Sequence, residues 1–198
     1  MNSVNSTASI SQSDSYVHSS AKLGRNVTIA NGVVIGANSS IGDNSSIGQG
    51  SRIGEGVHIG ASCQLHALII VGHGSSICPN TTLKDGVATG SHCYIGPNSF
   101  LSNGVVLGDK VQLWGSNLIG SQTFIDDEAF VGLGVPLNSD TVWTSVTLKG
   151  DSLMAIDGLI FTKFRPAMDL SSAHIWAKET FGLEFESRLS HLFDTADA

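Results

Sequence analysis

Five polar side chains of this sequence are placed where they could form one chemical site. An interval of 18 residues separates Glu55, His73, Ser91 and Asp109, and His92 follows Ser91 directly. An imidazole beside a carboxylate can act as a general base that takes a proton from an amine or a hydroxyl group. The residues can cooperate in this way only if the fold stacks positions 18 apart, so the rest of the chain must supply such a repeat.

A six-residue repeat runs through most of the chain. Every sixth position from Val17 to Leu137 is aliphatic, and Thr89 is the single exception. The next residue is usually glycine, and the residue four places after the aliphatic one is small or β-branched. A period of six matches neither a helix nor a strand. It predicts an all-β fold, a hexapeptide β-helix in which three short strands form one coil of about 18 residues.

The positions within each hexad have different predicted roles. Positions one and five point inward, and positions three and four turn the corner. Asn and Gly alternate at many position-four sites, such as Asn26, Gly32, Asn44 and Gly50. These two residue types tolerate the left-handed backbone conformation that a tight corner requires.

The chain divides into four predicted segments. Residues 1–16 are polar and are predicted to be flexible. Residues 17–142 form about seven coils of β-helix, and residues 143–165 form irregular closing strands. Residues 166–198 form a helical extension, which Ser171 or Ser172 can cap.

Composition limits the partners and the compartment. The 198 residues carry a net charge of −7, which argues against nucleic acid as a partner. No apolar run approaches the roughly 18 residues of a membrane span. Cys63 and Cys93 fall at inward position five and are predicted to be small buried residues, with no disulfide and no metal. These features predict a reducing, cytoplasmic location.

Residues 17–155 resemble the hexapeptide-repeat acyltransferases, a superfamily of left-handed parallel β-helices. The segment VGLGVPLNSDTVWTSVTLKGDSL at 131–153 is similar to the closing segment of that superfamily, although Lys149 adds a residue before the glycine. The stretch IIVGHGSSIC around His73 and the stretch GSHCYIGPN around His92 resemble family segments that contain histidine.

The resemblance implies a homotrimer with active sites in the clefts between subunits. It also implies an acyl-CoA donor such as acetyl-CoA, no metal, and a histidine base acting on a small polar acceptor such as an amino sugar or a nucleotide sugar. His73 is preferred as that base because Glu55 stacks on it, and His92 is the second candidate. The closing segment implies that coenzyme A contacts a further set of residues, Gly132, Gly134, Ser145 and Lys149.

Two other functions stay open at this point. A non-catalytic scaffold would need only the β-helix itself, and the chain lacks the loops that often interrupt such solenoids. A relative of the γ-class carbonic anhydrases would use His66 as a zinc ligand, but Pro79 and Lys84 stand where the other two histidines are required. His66 is therefore predicted to be a surface residue.

Aromatic and basic side chains late in the chain are further candidates. Trp114 replaces the usual glycine of its hexad, and it suits a contact between subunits or stacking on a sugar or adenine ring. Lys149, Lys163 and Arg165 form a basic cluster that could meet the phosphates of coenzyme A, or that could be ordinary solvated charge.

Overall fold

A computed structural model describes residues 8–10, 14–139, 142–143, 153–156, 159–162 and 165–169 of the chain. Within these residues the chain forms three long parallel sheets and one small antiparallel sheet. Consecutive strands of the main chain path belong to different sheets, so the backbone winds around a three-sided prism. The predicted all-β parallel solenoid of about seven coils is confirmed, and the described residues contain no helix.

The three parallel sheets are the faces of the prism, and each strand is two residues long. Face A contains seven strands, namely Lys22–Leu23, Ser40–Ile41, His58–Ile59, Ser76–Ile77, Tyr94–Ile95, Gln112–Leu113 and Phe130–Val131. Face B contains eight strands, namely Ser9–Ile10, Thr28–Ile29, Ser46–Ile47, Gln64–Leu65, Thr82–Leu83, Phe100–Leu101, Leu118–Ile119 and Pro136–Leu137. Face C contains eight strands, namely Tyr16–Val17, Val34–Ile35, Arg52–Ile53, Ile70–Val71, Ala88–Thr89, Val106–Leu107, Phe124–Ile125 and Val142–Trp143.

The register of the sheets follows the sequence repeat. Throughout faces A and C each strand pairs with residues 18 positions further along the chain, as in Val71 with Thr89. The first strand of face B differs by one residue, since Ser9 pairs with Thr28. This strand lies inside the segment 1–16 that the sequence predicts to be flexible. The small antiparallel sheet consists of Leu153–Ile156, Leu159–Thr162 and Arg165–Asp169, and the helix predicted after Ser171 or Ser172 lies outside the described residues.

The aliphatic residues at position one fill the centre of the prism. Ile29, Ile59, Ile77 and Ile119 are at most 1% exposed. Thr89, the exception in the series, also points inward, and its hydroxyl donates a hydrogen bond to the carbonyl of Gly90 at 3.2 Å. The repeat therefore passes through Thr89 without a break, because the hydroxyl finds a backbone partner.

Polar residues at position five are buried but have hydrogen-bond partners on both sides. The Ser45 hydroxyl donates to the carbonyl of Gly60 at 2.9 Å and accepts from the backbone N–H of Cys63 at 3.0 Å. Cys93 is placed in the same way, and its thiol donates to the carbonyl of Gly108 at 3.0 Å. Burial raises the pKa of Cys93 to about 11. Both inward cysteines are free thiols, so their predicted role as small buried residues is confirmed.

From Asn26 onward, each corner turns at position four of its hexad. This position has a positive φ in each coil from Asn26 to Gly134, with angles between 50° and 72°. Asn and Gly occupy most of these sites, as the sequence predicts. Leu68 and His92 are bulkier exceptions, with φ of 60° and 57°.

Candidate functional site

The predicted chemical residues lie on the corner between face C and face A, which we call the C–A corner (18–20, 36–38, 54–56, 72–74, 90–92, 108–110 and 126–128). Five successive glycines occupy position two of this corner, namely Gly36, Gly54, Gly72, Gly90 and Gly108. A Cβ atom added at Gly72 would collide with the carbonyl group of Gly90 in the next coil. In these five coils the close stacking leaves bare backbone at position two, so side chains project there only from positions three and four.

A hydrogen-bond ladder runs along position three of this corner. The carboxylate of Asp109 accepts from the backbone N–H of Ser91 at 2.6 Å, and Asp127 accepts from Asp109 N–H at 2.7 Å. His73 fills the same place two coils before Asp109, where its Nδ1 accepts from the backbone N–H of Glu55 at 3.0 Å. The His73 ring therefore accepts the hydrogen bond of a backbone N–H in the preceding coil, as Asp109 and Asp127 do further along the corner.

This bond fixes the orientation of the His73 imidazole. Because Nδ1 accepts a hydrogen bond, the proton of the neutral ring lies on Nε2. Nε2–H then points outward as a donor, whereas a general base needs a lone pair there. Glu55 meets His73 through its backbone N–H, and its own carboxylate is exposed to solvent.

His92 occupies position four of the next coil and is held through its backbone. Its N–H donates to the carbonyl of His73 at 2.8 Å, and its left-handed φ of 57° directs the ring over Gly74. A Cβ atom at Gly74 would lie only 2.6 Å from Nδ1 of His92, so the glycine makes room for the ring. Within residues 14–139 neither ring nitrogen of His92 has a hydrogen bond, and the side chain is exposed.

Charged residues continue the C–A corner beyond the two histidines. The Nζ atom of Lys110 lies 2.7 Å from Oε1 of Glu128, and this carboxylate raises the pKa of Lys110. Asp109 and Asp127 lie beside this ion pair on the same corner. The structure therefore brings Glu55, His73, Ser91, His92 and Asp109 together on one corner, as the 18-residue spacing predicts.

The residues predicted to contact coenzyme A lie elsewhere. Gly132 and Gly134 are on the corner between faces A and B, and Gly134 has a φ of 69°. Asn117 donates a hydrogen bond from Nδ2 to the carbonyl of Gly132 at 2.6 Å, which ties down this corner. Ser145, Lys149 and Lys163 lie outside the described residues, and the side chain of Arg165 does as well.

Trp114 lies on the same corner as Gly132 and forms an aromatic pair. Its ring centroid is 5.4 Å from that of Phe130, with the planes tilted by 58°. The tryptophan is still 55% exposed, so one side of its ring is open to a ligand or to another protein surface.

The spacing argument missed a second group of polar residues, on the corner between faces B and C. The Nζ atom of Lys84 lies 3.3 Å from Nε2 of His66, and Oδ1 of Asp85 lies 4.0 Å from Nδ1 of the same ring. His66 and Lys84 are 18 residues apart, so the repeat itself could have identified the pair. Within the described residues, no three His, Cys, Asp or Glu side chains are placed to hold a metal ion together.

The comparisons with known proteins agree with the repeat. A model of the bacterial transferase hexapeptide, which describes six repeats, matches residues 20–55 and 32–67. A model of the hexapeptide repeat of succinyl-transferase matches residues 86–113. The second match contains Ser91, His92 and Asp109. No curated protein matches the chain.

Several solved structures are similar to this one. A UDP-N-acetylglucosamine acyltransferase from Campylobacter jejuni is 19% identical, with 88% of this chain and 85% of that chain covered and a TM-score of 0.60. An Arabidopsis UDP-N-acetylglucosamine acyltransferase is 14% identical, with coverages of 93% and 89% and a TM-score of 0.38. PerB from Caulobacter crescentus, solved with CoA and GDP-perosamine, is 21% identical, with coverages of 79% and 57% and a TM-score of 0.33.

The repeat and the prism define the class of this protein, which is a parallel β-helix built from hexapeptide repeats. In its repeats and its fold the chain is similar to the hexapeptide-repeat acyltransferases, a superfamily of left-handed parallel β-helices. None of the described residues forms a helix with the length and apolar character that crossing a membrane requires.

Proposed function

We propose that the protein transfers an acyl group from acyl-CoA to an amine or hydroxyl group of a small polar acceptor, with the C–A corner as its active site. The observation that carries the proposal is the placement of His92, whose exposed ring lies over Gly74 and has no hydrogen bond to either ring nitrogen within residues 14–139. Its segment is the one that matches the succinyl-transferase repeat. A histidine with an available lone pair is the group that this reaction needs, because a protonated amine cannot attack a thioester.

His92 is the preferred base in this proposal, and His73 is the second candidate. His73 would first have to give up its bond from the N–H of Glu55, or carry the proton on the other nitrogen. Glu55 then acts by positioning His73.

The acceptor that we propose is a nucleotide sugar. Support comes from the Campylobacter jejuni structure, whose name states UDP-N-acetylglucosamine as the acceptor and whose fold this chain shares. The donor that we propose is acetyl-CoA or another acyl-CoA, with Gly132, Gly134, Ser145 and Lys149 as its contacts. No metal is required for this chemistry.

We also propose a homotrimer that assembles through face C. The outward side chains of this face include large exposed apolar residues, such as Tyr16 at 57% and Ile70 at 50% exposure. Val34, Val106 and Phe124 continue the same row. Because the C–A corner borders face C, a neighbouring subunit on this face would complete a cleft around His92.

Calorimetric titration with acetyl-CoA tests the function. We expect saturable heat and acetyl transfer to an amino-sugar nucleotide, with both retained in a His58→Ala control on face A. A stable oligomer that gives neither heat nor transfer would favour a scaffold, the alternative that the apolar row on face C supports. Light scattering should give three times the 20.6 kDa of one chain, and a 20.6 kDa particle would exclude the trimer.

A further inference from the structure

The corner between faces B and C, which we call the B–C corner (30–32, 48–50, 66–68, 84–86, 102–104 and 120–122), holds a second set of reactive side chains. His66 and Lys84 occupy the same position in successive coils, and their Nε2 and Nζ atoms are 3.3 Å apart. The Lys84 Nζ atom also lies 5.7 Å from the centroid of the Phe100 ring, so the lysine is held between a histidine and an aromatic face.

The contact fixes which nitrogen of His66 carries the proton. A lysine ammonium group has donors only, so Nε2 of His66 must accept and the ring proton must lie on Nδ1. Nδ1–H lies 4.0 Å from Oδ1 of Asp85, which is too far for a hydrogen bond, so the carboxylate acts on the ring through its charge. A nearby carboxylate charge and a lone pair aimed at the reacting atom both favour proton removal by histidine.

Both ends of this arrangement are anchored to the β-helix. Oδ1 of Asp85 accepts a hydrogen bond from the backbone N–H of Ala67 at 2.9 Å, which holds the carboxylate beside the ring. Lys84 and His66 are each half-buried. The Nζ atom is therefore kept near the base and does not sample solvent freely, which reduces the entropy lost on reaction.

The two other lysines of residues 14–139 are in different surroundings. Nζ of Lys110 is paired with the carboxylate of Glu128 at 2.7 Å, and that pairing keeps its ammonium form. Lys22 is exposed on face A, and no base contacts it. Lys84 is thus the lysine of this region that has a histidine lone pair directed at it.

We propose that Lys84 is a modification site that takes acyl groups from thioesters, with His66 as the base. Lys84 first loses one proton to solvent, and its neutral Nζ then attacks the thioester carbonyl carbon. As the C–N bond forms, the nitrogen becomes acidic and His66 Nε2 takes its extra proton. The C–S bond breaks, the proton held by His66 passes to the departing thiolate, and the products are an amide at Lys84, a free thiol and a neutral His66. This activity goes beyond the proposed function, because the acceptor is the protein itself.

The test uses the full chain and a small donor, S-acetyl-N-acetylcysteamine. This thioester lacks the nucleotide of coenzyme A, so the result does not depend on a coenzyme site. Peptide mapping by mass spectrometry gives the initial acetylation rates of Lys84, Lys110 and Lys22. We expect Lys84 to react about tenfold faster than the other two, a factor below the 10²–10⁴ of a base in an enclosed site because this corner is partly open.

A His66→Gln variant isolates the base. Glutamine keeps a polar side chain of similar length, and its melting temperature should match that of the wild-type chain. The Lys84 rate should fall about tenfold, to the level of Lys22, while the rates of Lys22 and Lys110 stay unchanged. Asp85→Asn should have a smaller effect, about threefold, because Asp85 acts on the ring only through its charge.

Two results would overturn the proposal. One is a Lys84 rate no higher than that of Lys22 in the wild-type chain. The other is an unchanged Lys84 rate in a folded His66→Gln variant. A chain that shows no acyl-CoA-dependent turnover but does acetylate Lys84 faster would refute the proposed function alone.

Discussion

The C–A and B–C corners are built from the same hexad, yet they place their histidines in opposite chemical states. On the C–A corner, position two is glycine in five successive coils, and His73 uses its Nδ1 as an acceptor for a backbone N–H. On the B–C corner, position two carries long side chains in two successive coils, and His66 accepts a hydrogen bond at Nε2 from Lys84. The two histidines are seven residues apart in sequence, but their rings carry the proton on different nitrogens.

The difference shows how a regular fold can give one residue type two roles. A position-three side chain lies beside the N–H of the preceding coil, so it is recruited to satisfy the backbone. A position-two side chain lies beside its equivalent in the next coil, so it meets another side chain. The hexad position therefore decides whether a histidine supports the fold or faces a reactive group.

The largest expected effect separates His92 from His73. Replacing His92 with Ala should lower turnover by about 10²–10⁴-fold, with little change in acyl-CoA affinity, because the base is removed. Replacing His73 with Asp should have a far smaller effect, since the carboxylate can take over the bond from Glu55 N–H, as Asp109 does for Ser91. Steady-state kinetics measures both variants.

The opposite ranking would reverse the assignment. A full loss in His73→Asp with normal turnover in His92→Ala would make His73 the base, which is the preference that the sequence alone suggests. Normal turnover in both would remove the C–A corner as the active site.

Gly→Ala substitutions, which add one methyl group, can compare how closely the backbone stacks on the two corners. At Gly72 the added Cβ would meet the backbone of Gly90, so we expect Gly72→Ala to lower the free energy of unfolding by about 2–3 kcal/mol. At Gly86, on the B–C corner, the Cβ would meet no atom within 4 Å, but φ is +72°. Gly86→Ala should cost about 1–2 kcal/mol, the penalty for a left-handed alanine.

Denaturant unfolding of the two glycine variants ranks them. If Gly86→Ala were the more damaging change, close stacking would not be what makes glycine necessary on the C–A corner.

Much of the fold could be predicted from the sequence because each position of the hexapeptide repeat has one fixed place in a β-helix coil. The hexad predicts that strands pair with residues 18 positions away and that the aliphatic residues point inward. It also predicts the left-handed backbone conformation at position four. For the candidate site, the sequence predicts only that its residues lie close together. The tautomer of His73 depends on a hydrogen bond from a backbone N–H in the preceding coil. Residue types alone do not predict where that N–H points. The 18-residue spacing also predicts the contact between His66 and Lys84. Finding it requires comparing the position-two residues of successive coils.

The strained leucine of the B–C corner gives a smaller effect. Leu68 is 63% exposed and has a φ of 60°, a conformation that costs a bulky residue about 1–2 kcal/mol. Leu68→Asn should raise the free energy of unfolding of the isolated chain by about 1 kcal/mol, because Asn fills the same position in several other coils.

A matched control is available for this leucine. Leu133 is 71% exposed but does not have a positive φ, so Leu133→Asn should leave the free energy of unfolding within about 0.5 kcal/mol of its value. Equal effects at the two leucines would show that exposure, and not backbone conformation, decides the outcome.

The smallest expected effect concerns the tautomers of His73 and His66. It is the most direct check on the comparison, because it is measured in the unaltered protein. Long-range proton–nitrogen correlation spectra distinguish the protonated from the bare nitrogen of a neutral imidazole. We expect Nε2 of His73 and Nδ1 of His66 to carry the proton at a pH where both rings are neutral, because Glu55 N–H and Lys84 Nζ donate to the opposite atoms. The Lys84→Met variant, which removes the donor to His66, should shift the His66 ring toward a mixture of tautomers and leave His73 unchanged. The same tautomer in both wild-type rings would mean that the hexad position does not set the state of the histidine.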